Sequence, residues 1–145
     1  MEAEMKKIGL ITLLSLSAVA ADYAQEIEVR QDNFQYLDTT VDLLDDAFDK
    51  EVLDWNEIMP LAQSAHLTVE EQKTLFPEGS ADNSRARTKI WAQKAEFEGK
   101  FDTLSQQFIL ISEAAVEQDD VAARAALDNA FSQCRSCHMN YRSLW

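Results

Sequence analysis

Cys134 and Cys137 stand three residues apart, with His138 directly behind the second, close to the end of the chain at Trp145. They are the only two cysteines among 145 residues. Three chemistries use such a pair. A dithiol redox centre places Cys-x-x-Cys at the start of a helix, where the dipole lowers a thiol pKa, and beside a βαβ pattern. A zinc site needs four ligands, and only Cys134, Cys137, His138 and the distant His66 are on offer. Attachment of a c-type haem employs all three residues at once. Each thiol adds across one porphyrin vinyl group, and the adjacent imidazole reaches the iron. The spacing therefore points to one covalent haem c held by Cys134 and Cys137, with His138 as the metal ligand; a dithiol redox protein is the lesser alternative.

The elements that position this motif are helical. Apolar residues recur by threes and fours from about Glu26 to Glu51 (Ile27, Phe34, Leu37, Val41, Leu44, Phe48). A second stripe follows the candidate N-cap Asp54, through Trp55, Ile58, Ala62, Ala65, Val69 and Phe76. Within it Pro60 predicts a kink or a late start, and Thr68 with Glu71 a capping box that restarts the helix. A third stripe begins after the polar loop PEGSADNSRAR and includes Ile90, Phe97, Phe101, Leu104, Phe108, Ile111 and Ala115. Asp119 or Asp120 caps the fourth, through Ala123, Leu127, Ala130, Cys134, Cys137 and Tyr141. No segment alternates with period two over strand length. Four amphipathic helices with short connections read as an all-α protein, an antiparallel four-helix bundle. The cysteines fall on or beside the core face near the end of the last helix, where a dithiol redox centre is not expected.

Residues 1–20 read as a secretory signal: Lys6 and Lys7, an apolar run from Ile8, then Ala18-Val19-Ala20. The apolar run is too short for a membrane span, so no stable membrane insertion is expected. The bundle then occupies residues 21–145 and works outside the cytoplasm, the compartment in which c-type haem is attached. The net charge of −13 argues against nucleic acid and against anionic membrane surfaces, and favours basic partners.

Two arginines stand out once haem is considered. Arg30 lies on the apolar stripe of the first helix, and Arg142 lies one turn beyond His138 on the same face. A guanidinium on an apolar face needs an anion or a route to water. Haem propionates would supply the anions; snorkelling, or pairing with one of the many carboxylates, would serve equally.

The Cys-x-x-Cys-His followed by MNYR near the C-terminus, together with VRQDNF in the first helix, FPEGS before the third and KIW at its opening, resembles cytochrome c′, of the class II c-type cytochromes. The likeness covers nearly the whole of residues 21–145. It implies that Cys134 and Cys137 hold the haem and that His138 is the proximal iron ligand. It also implies that Arg30 and Gln31 lie near the propionates, Arg142 near the proximal side, and Ser84 and Arg85 in the loop that approaches the haem edge. The family's distal position is four residues after the first-helix arginine, which here is Phe34. A phenyl ring cannot ligate iron, whereas low-spin relatives carry methionine there. Five-coordinate, high-spin iron with a crowded sixth site follows from the likeness. Bound oxygen wants a hydrogen-bond donor, which Phe34 lacks, so NO and CO are the expected diatomic gas ligands. The expected role is NO sequestration or carriage in the periplasm. Electron transfer with periplasmic redox partners is the alternative, and peroxidase-like enzyme chemistry lacks a visible distal acid–base pair. Dimers formed through the first two helices are common in the family, so a homodimer is expected.

Overall fold

The computed structural model describes residues 22–144; the expected signal segment lies outside them. Five helices account for the architecture: α1 (Ala24–Phe48), α2 (Trp55–Gln72), α3 (Lys89–Ala92), α4 (Lys94–Glu117) and α5 (Asp120–Tyr141). Four are long and form the antiparallel bundle; α3 is a single turn. The apolar stripes become the core. Leu37, Val41, Leu44 and Phe48 of α1 meet Ile58, Ala62, Ala65 and Val69 of α2, Phe97, Phe101, Phe108 and Ile111 of α4, and Ala123, Leu127 and Ala130 of α5. The main seams run between α2 and α4, between α4 and α5, and between α1 and α2, while α1 touches α5 only lightly. No helix among the described residues is long and apolar enough to cross a membrane.

Two expected starts within α2, a late one at Pro60 and a restart at Thr68, give way to the tertiary fold. Asp54 caps it, its carboxylate accepting from the Asn56 amide at 3.0 Å, and the helix then runs unbroken through Pro60 to Gln72. Proline forfeits the bond to the carbonyl four residues back and crowds that carbonyl with its ring, costs that a packed face can offset. Thr68 does not restart the helix. Its hydroxyl donates to the Ser64 carbonyl one turn back at 2.9 Å, which leaves it inside a continuous helix. The third expected helix is divided instead: Gln93 (φ −126°, ψ 44°) separates α3 from α4. The break is tied down from the preceding loop, where the Trp91 indole donates to the carbonyls of Phe76 and Pro77 and the Lys94 ammonium donates to Phe76.

Polar contacts fix the α2–α4 seam. Lys73 bridges Glu70 at 2.7 Å and Asp102 at 2.8 Å. The buried Ser105 hydroxyl donates to Glu70 at 2.7 Å and lies 2.8 Å from the His66 Nδ1. His66 is thus occupied within this seam. At the far turn, Gln118 adopts a left-handed conformation (φ 55°) that ends α4, and Asp119 caps α5 through the Ala122 amide at 3.0 Å. Replacing Asp119 by Ala removes that cap; a loss of about 1 kcal/mol is expected. Urea unfolding should show a lower midpoint with an unchanged slope, and an unchanged midpoint would mean that the cap contributes nothing.

Candidate functional site

The light contact between α1 and α5 leaves an apolar cavity of about 530 Å³. All nine residues singled out in the sequence line it: Arg30, Gln31, Phe34, Ser84, Arg85, Cys134, Cys137, His138 and Arg142. Cys134 and Cys137 sit one turn apart on α5 as free thiols, both partly buried and packed against the core. Across the cavity, the Phe34 ring faces His138, with centroids 6.3 Å apart and planes at 75°. Phe34 is stacked on Phe101 and edge-on to Phe76, so neighbouring aromatics hold its position. Among the described residues no methionine and no second histidine lines the cavity. Met139 is 71% exposed, Met59 belongs to a groove at the other end of α2, and His66 is held by Ser105.

Arg30 takes neither of the two routes open to it without a haem, snorkelling or pairing with a carboxylate. It is 2% exposed, so it does not snorkel, and no carboxylate pairs with it among the described residues. Its two terminal nitrogens donate instead to the loop after α2: to the Leu75 carbonyl at 3.2 Å, the Ser80 hydroxyl at 2.8 Å, the Ser80 carbonyl at 2.6 Å and the Ser84 hydroxyl at 2.8 Å. The guanidinium also lies 4.6 Å from the centre of the Phe76 ring. Gly79, with φ +88°, makes the turn that brings Ser80 inward. Ser84 accordingly faces Arg30, while its neighbour Arg85 donates to the Leu144 carbonyl at 3.2 Å. A short backbone pairing between residues 85–87 and 141–143 fastens this loop to the end of α5.

The cavity also includes residues that the sequence reading did not single out, among them Asp38, Lys100 and Phe131. Helical spacing carries the signal for two of them: Asp38 is one turn beyond Phe34, and Phe131 one turn before Cys134.

Burial, and then the Asp38 charge, raise the Cys134 thiol pKa; burial and the neighbouring Cys134 push Cys137 up to about 11. Buried, protonated thiols near a helix C-terminus do not suit dithiol exchange. No group of three or more His, Cys, Asp or Glu among the described residues is placed to hold a metal ion. His138 is packed on one side and exposed on the other. Partial burial and the Arg142 charge lower its pKa against the opposing pull of Asp38, which favours the neutral imidazole that binds metals. An apolar cavity with two thiols on one wall, an adjacent imidazole, and a buried cation lacking a counter-anion fits a flat, anionic, covalently held group. The raised thiol pKa has a measurable consequence in haem-free chain. Unfolded chain releases the Cys137 proton near the ordinary value of 9.0 and folded chain retains it to about 11. The associated stability is therefore complete below pH 9 and is lost as pH rises toward 11, by roughly 2–3 kcal/mol at most. At pH 8 iodoacetamide should label the folded thiols far more slowly than the urea-unfolded ones, and equal rates would contradict the burial.

A family model described as cytochrome c′ matches residues 25–142. Among solved structures, cytochrome c prime from Shewanella frigidimarina is 23% identical, with a TM-score of 0.78 over 86% of this chain and 99% of that one. A nitric oxide complex of a variant of cytochrome c prime from Alcaligenes xylosoxidans is 20% identical, with a TM-score of 0.78 over 88% of this chain and all of that one. A third cytochrome c′, described as having an unusual ligand-controlled dimer dissociation, is 15% identical, with a TM-score of 0.76 over 86% and 99% of the two chains. The search of curated proteins found no match. With its paired thiols, its adjacent histidine and the cavity they line, the chain belongs to the cytochrome c′ family and is a haem c protein carrying one covalently attached haem.

Proposed function

We propose that this protein binds NO and CO at its haem, in the periplasm, as an NO-sequestering or NO-carrying protein rather than an enzyme. The observation that carries the reading is Phe34, which faces His138 across the cavity with no methionine or second histidine beside it among the described residues. When bound, haem c supplies an iron that takes small gases and changes between ferrous and ferric states. Cys134 and Cys137 would tether the group, and His138 would provide a nitrogen ligand to its iron. Phe34 offers neither a ligand nor a hydrogen-bond donor, and its ring would exclude water from the face opposite His138. Arg30 holds the loop that borders the cavity and would contribute a fixed positive charge beside the bound group. The proposed homodimer is in keeping with the relative described as having ligand-controlled dimer dissociation.

A second reading, electron transfer, draws on a separate observation. The turn that carries His138 lies at the surface, and the next residue, Met139, is 71% exposed. A partner could therefore approach the iron ligand closely.

Replacing Phe34 by Ala opens a cavity and should cost about 3–5 kcal/mol of stability. On the ferrous protein, stopped-flow CO and NO association should then accelerate. An unchanged rate in a folded variant would make Phe34 core filling and remove the argument for gas selectivity. In the unaltered protein, a low-spin six-coordinate spectrum in both oxidation states would overturn gas binding in favour of electron transfer.

Arg30→Ala should lower the reduction potential, because removing a buried positive charge disfavours the more negatively charged reduced site. Limited proteolysis should at the same time cut the loop of residues 75–87 faster. A variant with an unchanged potential but a loosened loop would confine Arg30 to anchoring.

A further inference from the structure

The net charge of −13 points to basic partners, but the surface beside the cavity has the opposite sign. Residues 83–95 and 129–145 contain no Asp or Glu. Arg85, Arg87, Lys89 and Arg142 come from these two segments, and all four are exposed. Their backbones are fastened together: the Arg87 amide donates to the Tyr141 carbonyl at 2.9 Å, and the Ser143 amide to the Arg85 carbonyl at 2.8 Å. Among the described residues none of the four is in an ion pair, although the chain has 26 carboxylates. Neutral acceptors steady three of them instead. Arg85 donates to the Leu144 carbonyl, Arg87 to the Met139 carbonyl at 3.5 Å, and Lys89 to the Asn140 side chain at 3.5 Å. Two carboxylates lie near this face: Asp38, which lines the same cavity and acts on His138, and Glu96, which lies beside Tyr141. Two bare apolar side chains stand among these cations: Met139, 71% exposed, and Leu144, 73% exposed.

We propose that this face is a docking surface for a redox protein that presents an acidic patch, through which electrons enter or leave the haem. An apolar centre with a charged rim is the anatomy of a protein interface, and a patch this small suits the short-lived contacts of electron transfer. The inference rests on the electron-transfer reading and names the partner class that it requires. Charge complementarity selects the occupant. A basic protein, drawn by the overall charge, would be repelled here. Screening makes the local sign matter: the Debye length is about 10 Å at 0.1 M salt, against about 33 Å for the length of α5, so remote carboxylates are not felt at the mouth of the cavity.

Two measurements on the full holoprotein test this. Hexacyanochromate(III), a redox-inactive paramagnetic anion, should broaden the amide signals of residues 85–89 and 139–144 selectively in the diamagnetic ferrous CO-bound form. Broadening that is absent or located elsewhere overturns the surface. Hexacyanoferrate(III) then probes transfer: one electron passes from ferrous iron to the probe, giving ferric iron and hexacyanoferrate(II), with no proton moved and no bond made. Its rate should fall as salt rises from about 0.05 to about 0.3 M, and should drop about twofold in each of Arg87→Gln and Lys89→Gln. Lys50→Gln, in the loop between α1 and α2, should leave it unchanged. A rate that rises with salt overturns the proposal, since the net charge then governs approach. Local broadening with a rate indifferent to salt and to both substitutions keeps the anion-binding face but removes the electron-transfer reading. Co-sedimentation with phosphatidylglycerol vesicles at about 0.1 M salt would overturn the protein partner in favour of a lipid surface.

Discussion

A buried arginine organises the open side of this bundle. The Arg30 guanidinium gives four hydrogen bonds to a loop that has no regular secondary structure of its own, and its charge has no carboxylate partner among the described residues. Hydrogen bonds to a charged donor are stronger than neutral ones, and leaving such a donor unpaired in the interior would be costly. The loop of residues 75–84 therefore follows α1. Residues 85–87 continue that loop and pair with the end of α5, so the same contact sets where the cationic rim lies relative to the thiols. Gln72 reinforces the arrangement by donating to the Arg30 carbonyl at 3.0 Å, which joins α2 to the same turn of α1. Burial lowers the Arg30 pKa, yet arginine stays protonated under ordinary conditions, so the cavity keeps a permanent positive charge at one edge.

The bundle was legible in the sequence because its stripes repeat over about five to seven turns, far longer than any competing local signal. Phe97, Phe101, Phe108 and Ile111 fall in the core as their spacing requires. Short signals fared worse. Pro60 and the Thr68–Glu71 pair are breakers by local chemistry, but the apolar face of α2 continues past both and tertiary packing decides. The break at Gln93 has no glycine or proline to announce it; it is imposed by bonds from Trp91 and Lys94 to backbone carbonyls in the preceding loop. Backbone acceptors carry no residue type, so such contacts are invisible in one-dimensional patterns. The same holds for Arg30, whose need for partners could be read while the partners themselves could not.

The candidate site was legible to a comparable degree. The paired cysteines and the histidine carry their chemistry in their spacing, and all nine residues singled out converge on one cavity. Asp38, Lys100 and Phe131 went unnoticed because each is an ordinary member of its helix until the four helices are assembled. The sign of the surface was also hidden. A whole-chain charge sums over both ends of the bundle, and the two acid-free segments, 83–95 and 129–145, lie far apart in sequence and meet only after folding.

Both thiols sit on α5 alone, one helical turn apart, whereas the cavity they border is closed on its other side by α1, which touches α5 only lightly. A group joined to those two sulfurs depends on α1 for cover but not for retention. Should α1 swing away in a local opening, the group would stay leashed to α5, at an effective concentration that free diffusion could not match, and would re-enter the same cavity on closure. Exchange of the cofactor with solution is thereby separated from breathing of the fold. The seam that admits a gas can be loose without the protein losing what the gas binds to.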